Sequence, residues 1–134
     1  MIDIESDILQ LVEEAVKAKR PDVEMYDIET RAPASFPCIT LREADNYCHM
    51  SSRDTSSTER YAQVMYELNA YSNLTKGRKK ECREIFALAD EALIRAGFTR
   101  MSMSPVEMQD ATIYRLVGRY QAVISRDKVI YRRG

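Results

Sequence analysis

The sequence predicts an α+β fold, a two-layer sandwich in which an antiparallel β-sheet carries two α-helices on one face. Three observations support this. Two long segments, 61–72 and 111–125, alternate apolar and polar residues with a period of two, as half-buried strands do. Two other segments, near 3–19 and 76–96, repeat their apolar residues at helical spacing. The order is helix, two or three strands, helix, two or three strands, and long neighbouring strands of this kind favour antiparallel pairing under one helical layer.

Asp3 to Lys19 reads as an amphipathic helix with Ile4, Ile8, Leu11, Val12 and Ala15 as its apolar stripe. Asp3 suits the cap, Glu5 the positive end of the helix dipole, and Lys17, Lys19 and Arg20 its negative end. Pro21 stops the helix. Val23–Arg31 is expected to form a strand, and the two prolines of Ala32–Pro37 to break it. Cys38–Asp45 is a strand with Cys38, Thr40 and Arg42 on one face and Ile39, Leu41 and Glu43 on the other. Asn46–Arg60 is polar, rich in Ser and Thr and without periodicity, so a long connection is expected there, mobile in a free subunit and ordered between neighbours in an assembly.

In Tyr61–Ser72, Ala62, Val64, Tyr66, Leu68 and Ala70 form the apolar face. The second helix, from about Lys76 to Ala96, has Cys82, Ile85, Phe86, Ala89, Leu93 and Ala96 as its buried stripe. Thr75 is a possible cap, and Gly97 suits a left-handed C-terminal cap. Phe98–Met103 is read as a short strand, Ser104–Asp110 as a loop carrying Pro105, Ala111–Ser125 as a long strand and Arg126–Gly134 as a last basic edge strand.

The 134 residues fit a single domain, 1–134, large enough to bury roughly two-thirds of its unfolded surface without disulfides or metal. A net charge of -1 gives no global reason to bind nucleic acid. No apolar run approaches the ~18 residues of a membrane span, and the acidic start MIDIESDILQ lacks the features of a signal peptide. Cys38, Cys48 and Cys82, an odd number without CxxC spacing, read as reduced thiols in a cytosolic setting.

Catalytic and cofactor readings find little support. His49 is the only histidine and adjoins Cys48, but adjacent residues of an extended chain point apart. Cys38, Cys48, Cys82 and His49 make a zinc set on paper only, since Cys82 lies on an apolar stripe. Pro21-Asp22 followed by Glu43-Ala44-Asp45 resembles a metal-dependent nuclease pattern, but Asp45 stands where the water-orienting lysine should be. Four scattered glycines form no phosphate loop. No catalytic, metal or cofactor residue is assigned, and no enzymatic activity is expected. Strand tyrosines beside Arg115 and Arg119 are compatible with a stacking platform for single-stranded nucleic acid, although sheet packing is their commoner role.

Lys76, Arg78, Lys79 and Lys80 crowd the N-terminal turn of the second helix, where the dipole is already positive, and Asp90 and Glu91 lie towards its negative end. Each misplaced charge costs on the order of 0.3 kcal/mol or more. The cluster is either a solvated face tolerated by the apolar stripe or a contact surface for an acidic partner.

The segments FPCITLREADNY (36–47), SRDTSSTERYAQVMYELNAYSN (52–73), IRAGFTRM (94–101) and DATIYRLVGRYQAVIS (110–125) resemble the minor tail proteins of long-tailed bacteriophages. The similarity is greatest to the tail terminator, or tail-completion, proteins of phages and prophages of Gram-positive bacteria. The resemblance implies an α+β subunit that forms a ring, commonly a hexamer, on the tail tube. Such a ring ends tube polymerisation and meets the head-completion or connector protein, in the host cytoplasm during assembly and then in the virion. Candidate interface residues are Tyr47, Arg53 and Asp54 in the polar stretch and Lys76, Arg78, Lys79 and Lys80 at the helix entrance. The alternatives are another neck component, such as a head–tail stopper, or a small nucleic-acid-binding protein or nuclease.

Overall fold

Helix α1 (Glu5–Lys19) opens the described structure, a computed structural model covering residues 3–26, 35–48, 61–125 and 130–131. It is followed by β1 (Glu24–Tyr26), β2 (Cys38–Cys48), β3 (Tyr61–Ser72), α2 (Arg78–Ala96), β4 (Thr99–Val106), β5 (Tyr114–Ser125) and β6 (Ile130–Tyr131). One sheet holds all six strands in the order β1-β2-β3-β5-β4, and β6 pairs with β5. Every pairing is antiparallel except β1 with β2, which makes the sheet mixed at one edge. Because β3 occupies one side of β5 along its whole length, β6 shares the other side with β4.

The two helices cover one face. Ile4, Ile8, Val12 and Val16 of the α1 region join Ile85, Phe86, Ala89 and Leu93 of α2 and Ile39, Leu41, Val64, Tyr66, Leu68, Leu116 and Tyr120 of the sheet in one core. The helices run in opposite senses. Arg20, after α1, bonds Glu81 in the first turn of α2, while Glu5 at the start of α1 accepts the backbone N–H of Glu43.

Several boundaries differ from the sequence reading. Helix α1 starts at Glu5, with Asp3 Oδ1 accepting its N–H. Leu11 is 40% exposed and Val16 takes its place in the stripe. Residues 4, 8, 12 and 16 repeat every four positions, so the buried seam drifts away from Leu11. Of the strand expected at Val23–Arg31 the described part is Glu24–Tyr26; residues 27–31 lie outside the described residues. Strand β2 continues to Cys48, so Asn46, Tyr47 and Cys48 belong to the sheet, opposite Val64, Gln63 and Ala62, and not to the polar connection. The rest of that connection, 49–60, lies outside the described residues.

Helix α2 begins at Arg78 with left-handed Gly77 (φ 82°) before it, and Thr75 makes no cap. At the other end Gly97 (φ 111°) donates its N–H to Ile94, and Phe98 donates to Leu93, the expected glycine cap. Strand β4 runs through Pro105 to Val106. Proline, which has no N–H to donate, is tolerated there because β4 is an edge strand. The last long strand starts at Tyr114, after a turn in which Asp110 Oδ1 accepts from Thr112.

Candidate assembly surface

The chain between Ser72 and Cys82 turns from the central strand into α2, and its charge is sorted in space. Glu81 points inward: its Oε1 accepts from Ser72 Oγ at 2.7 Å and its Oε2 from Arg20 at 3.0 Å. Arg20 also bonds Asp22 and lies 3.5 Å from Glu84. Asp22 and Glu81 push the guanidinium pKa upward, the Asp22 hydrogen bond most, and the same bond holds the Asp22 pKa below its usual range. Lys76, Lys79 and Lys80 are exposed, and so is Arg83 one turn on. None of the four makes an ion pair among the described residues. Arg78 donates to the Leu74 carbonyl at 3.4 Å.

Ile85 and Leu93 are fully buried, each contributing roughly 1.5–3 kcal/mol, which outweighs the roughly 0.3–1 kcal/mol cost of each cation near the dipole. The helix therefore tolerates the cluster, although the cluster does not help hold it.

Of the other expected contact residues, Tyr47 sits in β2 opposite Gln63, near the far end of the sheet, and Arg53 and Asp54 lie outside the described residues. Along β3, Gln63 and Ser72 are nine positions apart, about 30 Å at 3.4 Å per residue. The structure does not bring Tyr47 and the basic cluster together; they mark opposite ends of the subunit.

The open face of the sheet carries a polar ladder that sequence reasoning missed, because it depends on register. Glu67 in β3 lies between Arg42 in β2 (3.4 Å) and Arg119 in β5 (3.7 Å). Beside it Arg115 donates twice to Asn69 Oδ1 and sits 5.5 Å over the Tyr71 ring. Tyr71 is fully buried, and Tyr66 and Tyr120 turn into the helical core. Tyr66, Tyr71 and Tyr120 thus offer no exposed stacking surface, and Tyr114 is half-buried against the core.

Of the residues considered for chemistry, Cys38 and Cys82 are near enough for their charges to interact, while His49 and the Cys48 side chain lie outside the described residues. Cys38 and Cys82 are buried free thiols whose pKa burial pushes up to about 12. Among the described residues no group of three His, Cys, Asp or Glu is placed to hold a metal, and no helix is long and apolar enough to cross a membrane. Asp22 is tied to Arg20.

No protein-family model matches this chain, and no curated protein matches it.

Glu43 shows one cost of the arrangement. Burial raises its pKa above the usual 4.5, a hydrogen bond from Asn46 opposes the rise, and nearby Glu5 adds to it. A raised carboxyl pKa means that the folded state binds the proton more tightly. The stability it contributes is fully present below 4.5 and is lost as pH rises through the folded value. Glu43→Gln is therefore expected to raise the thermal midpoint at pH 7, the difference from the parent closing as pH falls towards 4. An unchanged midpoint at pH 7 would count against a penalised carboxylate.

Proposed function

We propose that this chain is a structural subunit of a phage tail, a terminator that assembles as a ring on the tail tube, ends its polymerisation and helps join tail to head. The observation that carries the reading is the concentration, at one end of a sheet-and-helix subunit, of cations without an ion pair among the described residues, where they oppose the helix dipole and so serve something other than folding. The likeness of segments 36–47, 52–73, 94–101 and 110–125 to tail terminators supports it, as does the two-ended layout, because a ring between tube and connector contacts a different partner on each side. The partners in this reading are further copies of the chain, commonly six to a ring, the tail tube protein and the head-completion protein. No membrane, cofactor or specific nucleic-acid sequence takes part.

The test is electron microscopy of phage particles made without the protein. Filled heads, unattached tails of abnormal length and normal DNA replication are expected, and joined normal particles would remove the reading. Lys79→Glu with Lys80→Glu separates docking from folding. Stability should be unchanged or rise by under about 1 kcal/mol per site, while tail attachment falls and its salt dependence weakens. Attachment equal to the parent across a salt series would leave these residues as a solvated face.

A further inference from the structure

The basic helix entrance adjoins an apolar cleft at the same end of the sheet. An opening of about 460 Å³ is lined by Pro105, Val106, Met108, Ala111, Ile113 and Tyr114, together with the exposed Glu107. The register places the cleft beside α2. Tyr114 pairs with Ser72, the last residue of β3 before the helix entrance, and Pro105 pairs with Leu116, whose side chain lies in the helix-side core. Cys82, just past the first turn of α2, reaches the Tyr114 carbonyl at 3.8 Å, so the start of the helix and this lining residue of the cleft are neighbours. Leu74, 42% exposed, lies on the connection from β3 to α2.

We propose that this end is a two-part docking site for an acidic segment of a partner protein. The cleft takes an apolar side chain of that segment, and Lys76, Lys79, Lys80 and Arg83 take its carboxylates. The inference deepens the tail reading by naming the chemistry of the partner, and it rests on that reading for the partner's place in the assembly. Two features select this occupant. The cations make no ion pairs among the described residues, so a bound carboxylate has no internal acid to displace. Charge alone gives a fast but weakly oriented encounter, whereas an apolar anchor in a concave site fixes register. Arg83 joins the set because it lies four residues after Lys79 on the exposed side of α2.

The experiment is fluorescence anisotropy with a labelled twelve-residue peptide of glutamate and leucine and the full chain. The controls are an all-glutamate peptide, a lysine–leucine peptide and a single-stranded DNA oligonucleotide. The glutamate–leucine peptide is expected to bind about tenfold more tightly than the all-glutamate peptide and the DNA, and the lysine–leucine peptide not to bind. Lys79→Glu with Lys80→Glu, and separately Met108→Asp, should each weaken binding about tenfold with the unfolding midpoint preserved. Ile113→Asp is a second cleft variant should Met108→Asp unfold. Equal binding of the all-glutamate peptide, tighter binding of DNA, retention of binding in both cleft variants, or no saturable binding would overturn the proposal. None of these outcomes decides the tail-terminator reading, which the particle morphology tests by itself.

Discussion

Replacing Gly118 with valine should destabilise the fold more than any surface change, by about 1–3 kcal/mol or somewhat above. Gly118 lies in β5 with its missing side chain facing α2. A Cβ built there would stand 2.6 Å from Phe86 Cζ and 3.1 Å from both Phe86 Cε2 and Tyr120 Cε2. Phe86 is 3% exposed, and Tyr120 is fully buried and donates its hydroxyl to Asp90, so neither ring has free space to move into. The glycine is needed here for the close approach of a ring to the strand. Chemical denaturation of Gly118→Ala and Gly118→Val should show graded losses. Both should shrink in a Phe86→Leu background, where the ring is gone. Additive costs in the double variants would place the strain elsewhere.

Arg20→Ala should be the second largest loss, about 1–3 kcal/mol. The Arg20 side chain is 20% exposed and that of Glu81 only 12%, so removing the guanidinium leaves a largely buried carboxylate with Ser72 as its remaining side-chain donor. Adding Glu81→Gln should recover part of the loss by removing the stranded charge. Urea unfolding of both variants checks this, and equal stability of the single and double variants would contradict it. The pH dependence has a definite sign. The Asp22 pKa is held below 3.8 by the Arg20 hydrogen bond, so the stability from that contact is present above 3.8 and lost as pH falls through the depressed value. The acid limb of the parent should lose that increment, and Arg20→Ala should lack it. Asp22 is 53% exposed, so solvent screening keeps the increment small.

Much of the architecture could be read before the structure because it depends on local periodicity. The strand at Tyr61–Ser72 and the α2 stripe from Cys82 to Ala96 stand as the spacing implied, and Gly97 takes the left-handed cap. What could not be read depends on partners distant in sequence. Alternation shows that Glu67, Asn69 and Tyr71 share a face, but not that this face is buried there or that Arg42, Arg115 and Arg119 meet it. Two register shifts, at Ala44 in β2 and Met101 in β4, interrupt the alternation, and nothing in the residues announces either one. Of the candidate contact residues, the cations were legible as a contradiction in helix electrostatics. Arg83, the cleft beside Tyr114 and the separation of Tyr47 from Lys79 needed the topology.

The pairing of β3 with β5 also dictates the order in which the molecule can be built. These twelve-residue strands lie side by side at the centre of the sheet, yet their partners are roughly forty to sixty-odd positions apart in the chain. During synthesis β2 and β3 can pair early, but one edge of β3 stays unsatisfied until residues 114–125 have left the ribosome. Ribosomal emergence at about 5–20 residues per second leaves that edge open for seconds. Over that interval α2 is, among the described residues, the one later helix that can shield the growing apolar face, so variants that weaken α2 should lower the yield of soluble protein more than their equilibrium stability accounts for.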